Sequence, residues 1–104
     1  MLRNTTRPTK DLSISKEIEE STGVAFLQVA GHLSSHTFDI LDSALQEQFQ
    51  AKRFKIIIDM SGVEYISSAG AGVLMNAHLQ AQDRHGAIVL LNPSASVRES
   101  LTIL

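Results

Sequence analysis

Hydrophobic and polar residues recur with different periods along the chain, and the first period is that of a strand. Leu12, Ile14 and Ile18 lie two or four positions apart with polar and charged residues between them, which is the spacing of one strand face. The polar run at residues 19–23 then predicts a hairpin turn. Residues 24–30 are more apolar and predict a second, more buried strand.

Apolar residues then recur at steps of three and four. This spacing predicts a helix over about residues 37–51 that packs one apolar face on a core. Ser34, Ser35 and Thr37 lie at its start, and each of the three hydroxyl groups is suited to cap it. Residues 54–60 predict a third strand. Its Ile-Ile-Ile centre is typical of a strand that is covered on both faces of a sheet.

The second half of the chain continues this alternation. After a turn at residues 59–63, a second long helix is predicted to run to about His85, with Gly86 as the glycine that ends it. Residues 87–91 predict a fourth buried strand, and residues 94–104 predict a last short helix.

The order of these elements predicts a single α/β domain over residues 12–104. We expect a mixed, mostly parallel sheet of four to five strands with packed helices. Residues 1–11 are expected to form a flexible tail. In such sheets, functional residues gather where strands end and helices begin. That rule points to two loops, residues 31–37 and residues 60–72.

Composition narrows the classes of function. The 104 residues carry a net charge of -2, and no basic stripe of the kind that nucleic-acid binding needs is evident. The absence of cysteine excludes disulfides, thiolate zinc sites and cysteine nucleophiles. Apolar runs are too short to cross a bilayer, and the polar N-terminus lacks the apolar stretch of a signal peptide. We therefore expect a cytoplasmic protein that contacts neither nucleic acid nor a membrane directly.

Catalytic and metal chemistry find little support. His32 and His36 are four residues apart but have no evident third ligand, so we expect no metal site. The glycines at positions 70 and 72 are not followed by the lysine of a phosphate-binding loop. No Gly-x-Ser-x-Gly elbow and no constellation of acid, base and nucleophile is present. We expect neither an enzyme nor a cofactor.

The informative residues are Ser67 and Ser68, between a buried strand and a helix and just before Gly70 and Gly72. A phosphate at the first turn of a helix is stabilised by the unpaired N–H groups and the positive end of the dipole. The glycines would let another molecule approach the backbone closely. The simpler interpretation is that one serine is an ordinary helix cap and the glycines only ease packing. The residues alone leave both interpretations open.

Residues 59–74, DMSGVEYISSAGAGVL, resemble the signature of STAS domains of the anti-sigma factor antagonist type. Residues 31–34, GHLS, resemble the family's segment after its second strand. Residues 86–93, GAIVLLNP, resemble its last buried strand and exit turn. The resemblance covers about residues 12–104, so the domain is expected to have the STAS-type fold.

The resemblance implies a partner-switching protein. Such a protein, when unphosphorylated, binds a serine kinase that is also an anti-sigma factor, and so releases a sigma factor. Phosphorylation of the motif serine, Ser68 here, blocks binding, and a PP2C-type phosphatase reverses it. A monomer or weak dimer is expected. The surface that binds the partner is expected to include Ser34, Ser67, Ser68, Ala69, Gly70, Ala71 and Gly72.

The chain departs from the family pattern at a few positions. Ser67 stands where the family has an aspartate, and His32 and Ser34 replace a glutamate and an aspartate of the first loop. Less negative charge is therefore expected around Ser68. The alternative function is a STAS-like binding subunit of a scaffold or transport complex, which would use the same surface without phosphorylation.

Overall fold

The computed structural model describes residues 12–103, with side chains over residues 12–101. The expected tail at residues 1–11 lies outside the described residues, as does Leu104 at the end of the predicted last helix. Strands and helices follow in the predicted order. The elements are β1 (Leu12–Glu19), β2 (Val24–Leu33), α1 (Phe38–Gln50), β3 (Lys55–Ile66), α2 (Ser68–Gln82), β4 (Ala87–Leu91) and α3 (Ala95–Ile103).

The sheet has the strand order β1-β2-β3-β4. β1 runs antiparallel to β2 through the tight turn at residues 20–23, whereas β2, β3 and β4 are parallel to one another. Helices make the connections between the parallel strands, as parallel strands require. The prediction of an α/β domain with a mixed, mostly parallel sheet is confirmed.

The helices cover one face of this sheet. Alternate residues of β2 and β3 are buried beneath them, while Phe26 and Val89 on the other face are 40% and 46% exposed. Ile57, between the buried Ile56 and Ile58, is only half-buried. The prediction that the third strand is covered on both faces is therefore wrong for the described residues. The fourth strand was predicted to be buried, but its five residues are only half-buried or exposed. An apolar run does not by itself distinguish a half-open strand from a fully covered one.

The second and third strands are longer than predicted. β2 continues to Leu33, and β3 continues through the expected turn at residues 59–63 as far as Ile66. The two extensions pair with each other, from Ala30 opposite Gly62 to Leu33 opposite Ile66, with register shifts on the way. A Cβ at Gly62 would lie 2.8 Å from the Ala30 Cβ, so the glycine permits the close approach of the strands. The predicted loop at residues 60–72 is accordingly reduced to a single connecting residue, Ser67.

The end of α2 also differs from the prediction. The helix ends at Gln82, and the residue with left-handed backbone is His85 (φ 63°) rather than Gly86. Gly86 is required for another reason, because a Cβ there would clash with the Phe54 carbonyl oxygen. Glycine is needed at this position for the close approach to Phe54, the residue before β3, while the Gly86 N–H also donates to the Ala81 carbonyl oxygen at the helix end at 2.8 Å.

Candidate functional site

Ser67 is the residue that connects β3 to α2, and its hydrogen bonds fix the start of the helix. Its backbone N–H donates to the Leu33 carbonyl oxygen at 2.8 Å, which ties the connection to the end of β2. Its backbone is extended, and its Oγ accepts the N–H of Gly70 at 3.2 Å. Ser67 is therefore the side-chain cap of α2, which satisfies one of the free donors of the first turn.

Ser68 is the first residue of α2 and has a different environment. Its side chain is exposed, and within the described residues its hydroxyl has no hydrogen-bond partner. The backbone N–H groups of Ser68 and Ala69 have no acceptor inside the helix, whose first intrahelical bond runs from Ala71 to Ser67. No acidic residue lies in this first turn. The sequence alone allowed either serine to cap the helix, and the structure shows that Ser67 does so. The Ser68 hydroxyl faces solvent at the positive end of the helix dipole.

Gly70 and Gly72 of α2 have different structural roles. A Cβ at Gly70 would meet the Leu33 side chain at 2.6 Å and the Leu33 carbonyl oxygen at 2.8 Å. Gly70 therefore allows the first turn of α2 to pack on the end of β2. A Cβ at Gly72 would meet nothing within 4 Å, and the residue is exposed. Gly72 leaves the surface beside Ser68 flat.

The predicted binding residues are gathered at this helix start, but not all reach the surface. Ser68 and Gly72 are exposed, and Ser34, Ser67 and Ala69 are half-buried. Gly70 and Ala71 are buried, so they contribute to the shape of the turn and offer little surface of their own.

Ser34 belongs to a hydrogen-bonded loop between β2 and α1. Its N–H donates to Thr37 Oγ1 at 2.9 Å, and the Thr37 hydroxyl donates to the His32 carbonyl oxygen at 2.7 Å. The Ser34 Oγ in turn accepts the N–H of His36 at 3.1 Å. Thr37 is 4% exposed and makes no capping bond to α1, so its hydroxyl holds the loop instead. Sequence reasoning offered Thr37 only as a possible helix cap.

Sequence reasoning also missed Glu64 and Tyr65, which lie at the same edge of the sheet. His32 is paired with Tyr65 across β2 and β3, and the two rings meet edge to face at 6.1 Å between centroids. His32 Nε2 lies 3.4 Å from Glu64 Oε1, and both side chains are largely exposed. An acidic group is therefore present near the strand ends despite the loss of the family's first-loop acids. Only the pairing of β2 with β3, which places Tyr65 opposite His32 and Glu64 next to Tyr65, reveals this contact.

Asp59 has a structural explanation within β3. Its carboxylate accepts the backbone N–H of Ser61 at 3.0 Å, and this bond lowers its pKa. Over residues 12–103, no three His, Asp or Glu side chains converge on a point where a metal ion could be held. In the same stretch, no helix has the length and apolarity to span a membrane.

Comparison with known proteins gives a consistent result. A family model described as the STAS domain matches residues 15–104. An anti-sigma F factor antagonist of Paenibacillus polymyxa is 21% identical over 91 residues, which is 86% of this chain and 78% of the relative.

Two solved structures share the fold. The anti-sigma factor antagonist SpoIIAA in its unphosphorylated form superimposes with a TM-score of 0.73 at 19% identity, covering 88% of this chain and 84% of that one. The Bacillus cell fate determinant SpoIIAA in the phosphorylated form gives a TM-score of 0.71 at 20% identity, covering 88% and 82%.

Proposed function

Because this chain belongs to the STAS domain family, we propose that it is an anti-sigma factor antagonist that phosphorylation of Ser68 switches off. In its unphosphorylated form it binds an anti-sigma factor serine kinase and thereby releases a sigma factor. The observation that carries the proposal is the exposed hydroxyl of Ser68, which no described group engages, at the start of α2. The similarity to an anti-sigma F factor antagonist supports this role.

The start of α2 suits a phosphate. Phosphorylation adds about -1.5 to -2 charge and three acceptor oxygens. The free N–H groups of Ser68 and Ala69 and the positive end of the dipole stabilise such a charge. No acidic side chain in the first turn opposes it. The domain therefore has no electrostatic reason to unfold when Ser68 is phosphorylated.

The comparisons support a switch without refolding. SpoIIAA is described in both an unphosphorylated and a phosphorylated form, and this chain superimposes on the two with TM-scores of 0.73 and 0.71. Proteins of this fold thus exist in both states with the same overall arrangement as this chain.

The phosphate on Ser68 then blocks binding directly, at the surface that contacts the partner kinase. A kinase that phosphorylates Ser68 has to pack over the turn, and the exposed Gly72 presents no side chain to keep it away. A dianion in that contact has to be desolvated and repels acidic groups opposite. A loss of roughly 2 to 4 kcal/mol weakens binding about 30- to 1000-fold, which is sufficient for a switch.

The chemistry resides in the partners. The chain supplies the acceptor hydroxyl, the anti-sigma factor kinase transfers the phosphate, and a PP2C-type phosphatase removes it. The chain itself needs no cofactor and catalyses no reaction, and it acts in the cytoplasm as a monomer or weak dimer.

Labelling with ATP and purified anti-sigma factor serine kinases from the source genome tests the proposal. One phosphate on Ser68 is expected by mass spectrometry, and Ser68→Ala should abolish it. Ser67→Ala is the matched control and should retain most of the labelling. If Ser67 alone is phosphorylated, the assignment of the site is wrong. If a kinase binds but transfers no phosphate, the non-phosphorylated binding subunit becomes the better description.

A further inference from the structure

An apolar groove begins at Ser68 and runs along α2, and we call it the α2 groove. It lies between α2, β4 and α3 and has a volume of about 490 Å³. Its lining includes Ser68, Gly72 and Met75 from α2, Ile88 and Leu90 from β4, and Leu101 from α3. His78 also lines it, and its Nδ1 accepts the backbone N–H of Ile88 at 3.3 Å. No lysine, arginine, aspartate or glutamate among the described residues lines the groove. Its volume falls within the range of ligand pockets, roughly 300–1,000 Å³, so it has room for a large side chain.

The groove is continuous with the proposed phosphorylation site. Met75 lies two turns after Ser68, about 10 Å along the helix axis. Gly72 lies between them without a side chain to divide the surface. Met75 is 56% exposed, although a methionine side chain gains from burial. Its flexible thioether adapts readily to an incoming apolar group.

We propose that the α2 groove receives an apolar side chain of the anti-sigma factor kinase, with Met75 as the main contact on this chain. The inference rests on the proposed function. A partner whose kinase site reaches Ser68 has to lie against the first turns of α2, and the adjoining surface offers it mainly apolar contacts, with His78 as a polar lining residue. A charged side chain would be desolvated there with no lysine, arginine, aspartate or glutamate of the described residues beside it, so an apolar one is favoured.

The groove also explains how a phosphate on Ser68 would be effective. Ser68 forms part of the groove lining, so its phosphate would place a dianion at the opening through which the apolar side chain enters. Burying that charge against an apolar group is unfavourable, so the phosphorylated rim would exclude the side chain. The switch would then combine the loss of a polar contact at Ser68 with the loss of an apolar contact in the groove.

Two exposed residues of the same helix provide a matched test. Met75→Lys places a charge in the groove. Leu79→Lys makes the same kind of change at a residue that is 52% exposed but does not line the groove. Affinity for purified anti-sigma factor serine kinases of the source genome should fall about tenfold or more for Met75→Lys, the effect of losing a central apolar contact. It should change less than about twofold for Leu79→Lys, since peripheral contacts are close to neutral.

Wild type and Ser68→Glu are measured in parallel, so that the two proposals fail separately. If wild type binds, Ser68→Glu does not, and Met75→Lys binds as tightly as Leu79→Lys, the groove proposal alone is overturned. If wild type binds no anti-sigma factor, the proposed function fails and the groove proposal fails with it.

Thermal unfolding and sedimentation exclude other occupants. Met75→Lys and Leu79→Lys should melt within a few degrees of each other, and both should sediment as wild type does. A selective loss of stability in Met75→Lys would mean that the chain covers the groove with its own residues. A wild-type dimer that Met75→Lys dissociates would mean that a second copy occupies it. Either result would overturn the proposal.

Discussion

Replacing Gly70 by alanine should destabilise the domain, although alanine is the better helix former. The new Cβ would lie 2.6 Å from Leu33 Cγ and 2.8 Å from the Leu33 carbonyl oxygen. Leu33 is fully buried, and its carbonyl already accepts the N–H of Ser67, so neither group can withdraw freely. The first turn of α2 would have to move away from β2.

The magnitude follows from two opposing effects. Alanine gains about 1 kcal/mol over glycine in a helix. Forcing an extra methyl group into a packed region costs typically about 1–3 kcal/mol, and the backbone contact points to the upper part of that range. We expect Gly70→Ala to lower the free energy of unfolding by about 1–2 kcal/mol, the difference between those two effects.

Gly72→Ala is the matched control, because it makes the same change two residues later on the same helix. A Cβ there would meet nothing within 4 Å, so only the helix preference acts. It should raise the free energy of unfolding by about 0.5–1 kcal/mol. Urea unfolding followed by circular dichroism measures both variants, and their midpoints should lie on opposite sides of wild type. If Gly70→Ala unfolds at the same urea concentration as Gly72→Ala or at a higher one, the explanation that Gly70 is needed for the close approach of α2 to β2 is wrong.

Three further changes test other parts of the structure. Ser67→Ala removes the cap of α2 and should cost about 1 kcal/mol in urea unfolding, whereas Ser67→Asp keeps an acceptor and should cost less; equal losses would contradict the capping role. Thr37→Val removes the hydroxyl that joins Ser34 to His32 and should cost about 1–3 kcal/mol; an unchanged midpoint would show that the loop does not need it. The lowered pKa of Asp59 stabilises the fold above the unfolded value of about 3.9, and this contribution is lost as pH falls through the folded pKa. Thermal melting across that interval should therefore change less with pH in Asp59→Asn than in wild type, and identical pH dependences would contradict it.

The order of helices and strands could be predicted because each has its own period of apolar residues. The bounds of β2 and β3 could not be predicted, since Ser61 and Gly62 are typical of a turn. It is the pairing of β3 with β2, resumed at Gly62 opposite Ala30, that continues the strand. That one face of the sheet is left open could not be predicted from the sequence either. Ile57 is as apolar as its buried neighbours, and no local pattern reveals that the described helices lie on the other side.

The position of the site could be predicted from the sequence, but the separate roles of its serines and glycines could not. A strand followed by two serines and two glycines marks the start of a helix, and the resemblance selected Ser68. Composition cannot tell which serine caps, because both are placed suitably in sequence. The direction of the Ser67 side chain, which accepts the N–H of Gly70, decides this in three dimensions. The different roles of Gly70 and Gly72 likewise depend on the position of Leu33.

The most direct test of the switch measures affinity and stability on the same phosphorylated sample. Protein carrying one phosphate on Ser68 is titrated with the anti-sigma factor kinase beside unphosphorylated protein, and both are melted. We predict that binding weakens about 30- to 1000-fold, as the loss of roughly 2 to 4 kcal/mol implies, while the melting temperature stays close to that of the unphosphorylated form. Unchanged affinity would contradict the switch itself. Weakened affinity with a greatly lowered melting temperature would contradict the local block and require a conformational mechanism.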